Sequence, residues 1–526
     1  MNKESKYRLY EGITNISDDI IEEAESVKHK KRRPVWVKWS AIAACMCLVA
    51  GGIYSAAQHG LFDGMGSNAG GGGKDGITYM SYAGPVFPLT VLEDASGLTA
   101  TRQMDFDFSP YKSHTESYEA DGKVHEYDSF KTESIVTDGY VLTNTSQTEK
   151  RVTAVYPFAA SFSSDADTLP AITVNGNKVS SKLNIGPYSG TFEGAWGGTE
   201  SEKSSSLNLD SLDSWEKYKA LIKGGYMESA FDDWPQLNQT VIVYELRDRK
   251  APSDADDAVT LNMEFNMDNN KTTILTYGFN GAANDVEKGH YARSTHIPKS
   301  SNPDYGTSAY LIVLGEDISG YTLQGYKDGS CEAGKELDSV TATVVRYETT
   351  LDNVFHLVAG QFLDLYLDAY SGDASKLEDN ISRESIIGAY KELLVGYGVL
   401  SSNTMQRYDF GMLEDVFGDA QGMDRIMYLS FEATVPAGGS VEISCSMVKK
   451  ASIDFTGKNK NRNGYDMVTQ LGSSLSFTAQ NASITNTESI QIINQNFGFD
   501  LAKGITTVEL NPSQEHYFLE VRKLSK

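Results

Sequence analysis

Cysteine is scarce, with four residues in a chain of 526, and Cys45 and Cys47 lie together inside one apolar run. So small a number excludes a disulfide-stapled scaffold, and the spacing of Cys331 and Cys445 fits no metal site. Those two form a candidate disulfide if their compartment is oxidising; two separate thiols are the alternative. Cations are short as well: 46 Lys and Arg stand against 71 Asp and Glu, a net charge of −25. Residues 1–38 hold nine basic and seven acidic residues, so the remainder carries 37 against 64, or −27. A surface with that excess has no means of gripping phosphate backbones, which excludes nucleic acid as a partner. The acidity reads mainly as a solubility device.

Long hydrophobic runs are absent except for one. The basic cluster Lys28, Lys30, Lys31, Arg32 and Arg33 leads through Pro34 into Trp36 and Trp39, and an uncharged stretch from Ser40 to Ala57 follows, carrying Ile42, Leu48, Val49 and Ile53. At about 1.5 Å per helical residue, Trp36 to Ala57 is long enough for a hydrocarbon core of roughly 30 Å. Cations confined to its N-terminal side place that end in the cytoplasm, and the two tryptophans suit the headgroup level. The charged leader is too long for an ordinary signal peptide, although Ser55-Ala56-Ala57 loosely fits a cleavage site. Ile42-Ala43-Ala44-Cys45 loosely resembles a lipidation motif. The expectation is an uncleaved single-pass anchor in the cell membrane, with residues 58–526 outside the cytoplasm.

Ahead of the anchor, Ser17 is placed to cap a short helix whose first turn holds Asp18 and Asp19. Behind it, Gly70-Gly71-Gly72-Gly73 marks a tether. From Tyr79 the chain turns to period-two writing. Val152, Ala154, Tyr156 and Phe158 share one strand face, and Asn175-Gly176 reads as a hairpin turn. Val259 to Met267 alternates apolar with polar residues. Met427 to Val435 and Val441 to Met447 flank Pro436-Ala437-Gly438-Gly439, which predicts two antiparallel strands at turn spacing. Helical periodicity marks Ser211–Lys223, Leu351–Tyr370 and about Arg383–Tyr397, the last two as a hairpin of helices. The expected architecture is mainly β (α+β): a single transmembrane helix followed by two or three antiparallel β-sandwich-like domains with an inserted helical hairpin. The expected boundaries are a leader helix at 1–34, the transmembrane helix at 35–57 and a Gly-rich linker at 58–77. Beyond them come a β-sandwich-like domain at 78–205, a second β-rich domain opening with a helix at 206–350, the helical hairpin at 351–400 and a C-terminal β-rich domain at 401–526.

Catalytic patterns are poor. Gly186-Pro187-Tyr188-Ser189-Gly190 has the wrong spacing for a nucleophile elbow, and no P-loop, zinc-protease or EF-hand pattern is present. His290 and His296 with Glu287, and His125-Glu126, are thin metal candidates whose default is a solvated loop. Asp165-Ala166-Asp167 and Asp254-Ala255-Asp256-Asp257 offer hard oxygens for Ca²⁺ without a defined loop. Asp105 and Asp107 share a strand face as a glycosidase pair would, but so many acids make chance pairs common. No cofactor and no catalytic residue is expected. Tyr188 and Trp196, in a Gly-rich stretch, are candidate ligand-facing aromatics that could stack on a sugar, against the blander reading of cross-sheet packing. Asn144, Asn238, Asn270, Asn380 and Asn481 begin glycosylation sequons, relevant only in a glycosylating host.

Two stretches carry a resemblance. Ile16-Ser17-Asp18-Asp19-Ile20-Ile21-Glu22-Glu23-Ala24, the Lys/Arg run and Trp39-Ser40-Ala41-Ile42-Ala43-Ala44-Cys45 resemble the N-termini of clostridial (Firmicutes-type) membrane-anchored proteins. Some of those resemble regulators that work with extracytoplasmic-function sigma factors, although this chain lacks the His/Cys cluster of zinc-type anti-sigma domains. Tyr140-Val141-Leu142-Thr143-Asn144 and Val155-Tyr156-Pro157-Phe158 are similar to exported β-sandwich proteins. The resemblance implies an anchored extracytoplasmic protein, with a cytoplasmic regulator as candidate partner for residues 1–27. The functional expectation is a non-enzymatic envelope module that binds or senses a cell-wall component or envelope protein; the alternative is an exported hydrolase of envelope glycans or esters.

Overall fold

The computed structural model describes residues 80–81, 83–120, 123–164, 168–188, 234–252, 259–297, 308–370, 381–396, 400, 411–454, 461–511 and 513–524. The expected leader, anchor, Gly-rich linker and the helix near 211–223 lie outside them. Among the described residues no helix is long and apolar enough to cross a membrane.

The fold is mainly β, in several antiparallel sheets, as the alternating text predicts. In chain order, Leu98–Asp107 (β1), Glu133–Asn144 (β2) and Lys150–Ala160 (β3) come first. In β1 the residues Leu98, Ala100, Met104 and Phe106 face inward, with Thr99, Thr101 and Gln103 on the other side. This is the two-residue period of a strand with one wet face. Next come Thr240–Lys250 (β4), Val259–Asn266 (β5), Thr272–Tyr277 (β6), His290–Ile297 (β7), Ala309–Gly315 (β8) and Thr341–Thr350 (β9). Three helices follow: Leu351–Tyr370 (α1), Arg383–Gly396 (α2) and Leu413–Gly422 (α3). Thr350 Oγ1 accepts from Asn353 N at 3.3 Å and Ser382 Oγ from Ser385 N at 3.2 Å, so α1 and α2 each begin on a side-chain cap. The chain closes with Arg425–Val435 (β10), Ser440–Lys450 (β11), Asn463–Val468 (β12), Ser476–Thr485 (β13), Ile490–Gln495 (β14) and His516–Lys523 (β15).

The expected units 78–205 and 401–526 interleave strand by strand. A seven-stranded sheet runs Thr507–Glu509, β13, β1, β2, β11, Ala171–Val174, Asn177–Lys178. A four-stranded sheet runs Lys182–Tyr188, β10, β3, Thr90–Val91. Their inner faces share one core, with Tyr140, Leu142, Ile443 and Cys445 on one side and Ala154, Tyr156, Leu429 and Phe431 on the other. The pairing of β13 with β1 is parallel, a departure from the antiparallel expectation. A third sheet of five strands runs Met80–Ser81, Ser452–Asp454, β12, β15, β14.

The strands around Pro436-Ala437-Gly438-Gly439 form as predicted, yet they are not partners of each other. Eleven register pairs join β10 to β3, from Arg425↔Ala160 to Val435↔Lys150. Eleven more join β11 to β2, from Ser440↔Thr143 to Lys450↔Glu133. The turn therefore carries the chain from one sheet of the sandwich to the other, and residues 145–149 do the same between β2 and β3. Long ladders with distant strands outweigh the local hairpin. Asn144, fully buried, stitches the two corners together: Nδ2 donates to Thr148 O at 2.7 Å and to Val435 O at 3.2 Å. The Asn175-Gly176 turn matches its expectation, with φ of 49° and 75° between paired strands.

Residues 240–422 add three layers. β6, β8, β4 and β9 form one sheet; Gly281–Asp285, β7, β5 and Ser319–Tyr326 form another. The first is covered on both faces, by Val354, Phe355 and Val358 of α1 on one side and Leu261, Met263 and Phe265 of β5 on the other. That double covering is why β8 reads as an unbroken apolar run, Ala309 to Leu314, instead of alternating. The expected pair of helices is present as α1 and α2. The third, α3, carried no periodicity signal because it is only ten residues long.

Candidate functional site

The strand β14 reads Ile-Gln-Ile-Ile-Asn-Gln, rich in β-branched residues that suit a pleated surface. It pairs with β15 along one side and, among the described residues, with no strand along the other. The register slips between Ile492 and Asn494, which leaves Ile493 as a bulged residue. Gln495 folds the following loop beside this edge: Nε2 donates to Phe499 O at 2.6 Å, while Oε1 accepts from Gly498 N and Phe499 N. Gly498 sits at φ 96°, open to glycine at little cost. Between edge and loop lies a groove of about 680 Å³, lined by Ile490, Ile492, Ile493, Phe499, Leu501 and Leu524 among others. Its one acid, Asp500, is paired with Lys503 at 2.7 Å, which lowers the carboxyl below its ordinary value. From Ser489 to Phe499 there is no charged residue.

A second cavity, of about 30 Å³, is lined by Pro85, Ser164, Thr168, Asp424 and Lys449 among others. Burial pushes the Asp424 carboxyl up and the Lys449 amine down to about 8, and Lys449 Nζ donates to Ala83 O. The space fits one water and no larger ligand.

The sequence-derived candidates do not converge. Tyr188 ends the strand Lys182–Tyr188 opposite Arg425, next to a bulge at Gly186, where a Cβ would fall 2.4 Å from Ile426 O. Trp196, Asp165, Asp167, Asp254, Asp256, Asp257 and Asn380 lie outside the described residues. His290 and His296 are not on a loop but on one face of β7, six residues apart, so about 20 Å separates their backbones. That distance rules out a shared metal ion, and His290 Nδ1 instead meets Asn266 Oδ1 at 3.2 Å. His125 and Glu126 sit in a two-stranded ribbon, opposite Tyr118 and Ser117, and not in a polar loop. Among the described residues no group of three His, Cys, Asp or Glu could hold a metal. Asp105 and Asp107 are occupied by neighbours: Asp105 Oδ1 accepts from Ser483 Oγ at 2.9 Å, and Asp107 Oδ1 from Asn486 Nδ2 at 2.7 Å.

The candidate disulfide is not formed. Cys331 and Cys445 are both free. Cys445 is sealed in the sandwich core on β11, while Cys331 follows the outer strand Ser319–Tyr326 of the other body.

Three features escaped the sequence reading. One is the groove. Another is the buried pair Arg102–Asp138, which period two does signal: Arg102 falls in phase with Ala100 and Met104, and Asp138 with Val136 and Tyr140. Burial pulls the Arg102 guanidinium down and the Asp138 carboxylate more than reverses it. The third is Glu414, in the first turn of α3, whose Oε1 accepts from Gly278 N at 2.5 Å while Oε2 is buried without a partner. Burial pushes that carboxyl up to about 8. No protein-family model matches the chain, and no curated protein matches it either.

Proposed function

We propose that this chain is a single-pass membrane protein with its N-terminus in the cytoplasm and residues 58–526 outside. On this reading it is a non-enzymatic envelope module that docks an extended segment of protein. One observation carries the docking: a groove of about 680 Å³ along the free edge of β14, apolar along its walls and uncharged along its strand. A free edge offers a row of backbone donors and acceptors, and an added strand gains affinity from them while side-chain pockets supply selectivity. The cationic cluster before Trp36 supports the orientation.

Protease added to intact cells tests the topology: it should degrade the chain beyond residue 58 and spare an N-terminal epitope, and a fully protected chain overturns the reading. Hydrogen exchange on full-length protein tests the groove. Amides 490–495 should slow when an envelope protein fraction is added and stay unchanged with soluble wall glycan. Protection by glycan alone, or by neither, overturns the docking of protein strands.

A further inference from the structure

The occupant of the groove follows from which backbone groups point into it. Leu524 N donates to Ser489 O at 2.9 Å and Asn496 N donates to Phe518 O at 3.2 Å, so those positions face β15. Alternation along an antiparallel ladder then turns the amide and carbonyl of Ile490, Ile492 and Gln495 away from β15, into the groove. Only another extended backbone meets groups spaced in that way.

We propose that β14 pairs antiparallel, about a two-fold axis, with β14 of a second copy of this chain. The inference rests on the docking reading above and names its occupant. Charge is the first reason. Two copies at −25 each repel, so a self-contact needs an edge without charge, and Ser489–Phe499 has none. The edge strand β9 differs, carrying Arg346 and Glu348. The edge strand Ser319–Tyr326 is also uncharged, but Leu337 N already donates to Gly325 O at 2.8 Å and closes it. Self-complementarity is the second reason. An axis between Ile492 and Ile493 sets Ile492 against Ile493, Gln491 against Asn494 and Ile490 against Gln495. Side-chain amides carry donors and acceptors together, so amides of two copies can pair where carboxylates could not. A six-residue edge is short for association in dilute solution, and confinement to one membrane supplies the effective concentration.

The test uses full-length chain, bearing a donor or an acceptor dye at its C-terminus, reconstituted together in lipid vesicles. Energy transfer should saturate with acceptor fraction as a dimer requires. Ile492→Lys and Ile493→Asp, each alone, should weaken the association about tenfold or more, because each sets a charge against an isoleucine. Mixing the two variants brings the introduced ammonium of one copy against the introduced carboxylate of the other and should restore transfer, a recovery that misfolding cannot imitate. Absence of transfer in the native chain, full transfer in either single variant, or no recovery in the mixture overturns the pairing. Native chain without transfer whose amides 490–495 are still protected by an envelope protein fraction overturns self-pairing and leaves the docking reading standing. A chain that fails to float with the vesicles overturns the anchored reading alone, and the same comparison is then read in solution.

Discussion

Arg102 Nε and Nη2 reach the two oxygens of Asp138 at 2.8 Å each, inside a core where neither side chain is exposed. The remaining capacity of the pair is used too. Arg102 Nη1 donates to Val468 O at 2.7 Å, joining the seven-stranded sheet to the five-stranded one. Tyr140 and Tyr156 both donate to Asp138 Oδ2, at 2.5 and 3.3 Å. Asp138→Ala would strand the guanidinium, and we expect a loss of about 3–5 kcal/mol in denaturant unfolding. The double replacement Arg102→Met with Asp138→Leu should lose clearly less, since no charge is then left unpaired. An equal loss in both variants would mean that packing, not charge, dominates there.

Asn144 is the second buried polar group on which distant segments depend. Besides its two Nδ2 donations, its Oδ1 accepts from Ser146 N at 3.0 Å and from Ser146 Oγ at 2.6 Å. Asn144→Ala should destabilise the sandwich by roughly 2–3 kcal/mol, because two corner carbonyls lose their donor. Burial also removes this sequon from use: expressed in a glycosylating host, the peptide holding Asn144 should keep its unmodified mass. Exposed Asn238 and Asn270 are the sequons that remain open.

Glu414 makes stability depend on pH, and the sign follows from its raised pKa. Below 4.5 the carboxyl is neutral folded and unfolded, so its favourable contribution is complete. Between 4.5 and about 8 the unfolded chain gives up the proton while the folded chain keeps it, so stability falls as pH rises. Above about 8 the loss is complete. Glu414→Gln should flatten that part of the slope, read as urea midpoints at about pH 5.5 and 8.5, on either side of most of that fall. Parallel profiles in the two proteins would place the carboxyl in contact with water.

The free thiols should separate by access. Cys445 is fully buried, and burial raises its thiol well above the ordinary value; Cys331 is raised less, by partial burial and by the Asp328 and Glu264 carboxylates. Maleimide should label the Cys331 peptide under native conditions and the Cys445 peptide only after denaturation. Native labelling of Cys445 at the same rate would show that the sandwich opens readily.

Strands with one wet face were legible, because alternation at Val259 to Asn266 is a direct image of burial. So were α1 and α2, whose apolar stripes run for many turns. Partnership was not. Nothing local in Met427–Val435 says that its neighbour is Lys150–Ala160, some 270 positions earlier in the chain, rather than the strand four residues onward. The groove escaped for a related reason: an edge is defined by what fails to pair with it, and that is a property of the assembled sheet. Tyr188 and Trp196 stand out by composition, which carries no information about convergence in space.

The parallel contact between Leu98–Asp107 and Ser476–Thr485 has a consequence for biogenesis. The first long strand to emerge waits for nearly the last, so no ribosome-bound or partly exported intermediate can close the sandwich, whereas residues 240–422 hold their own layers and can set early. A premature stop anywhere after residue 422 and ahead of Ser476 would thus yield a stump with a finished middle and frayed flanks, a natural target for envelope quality-control proteases.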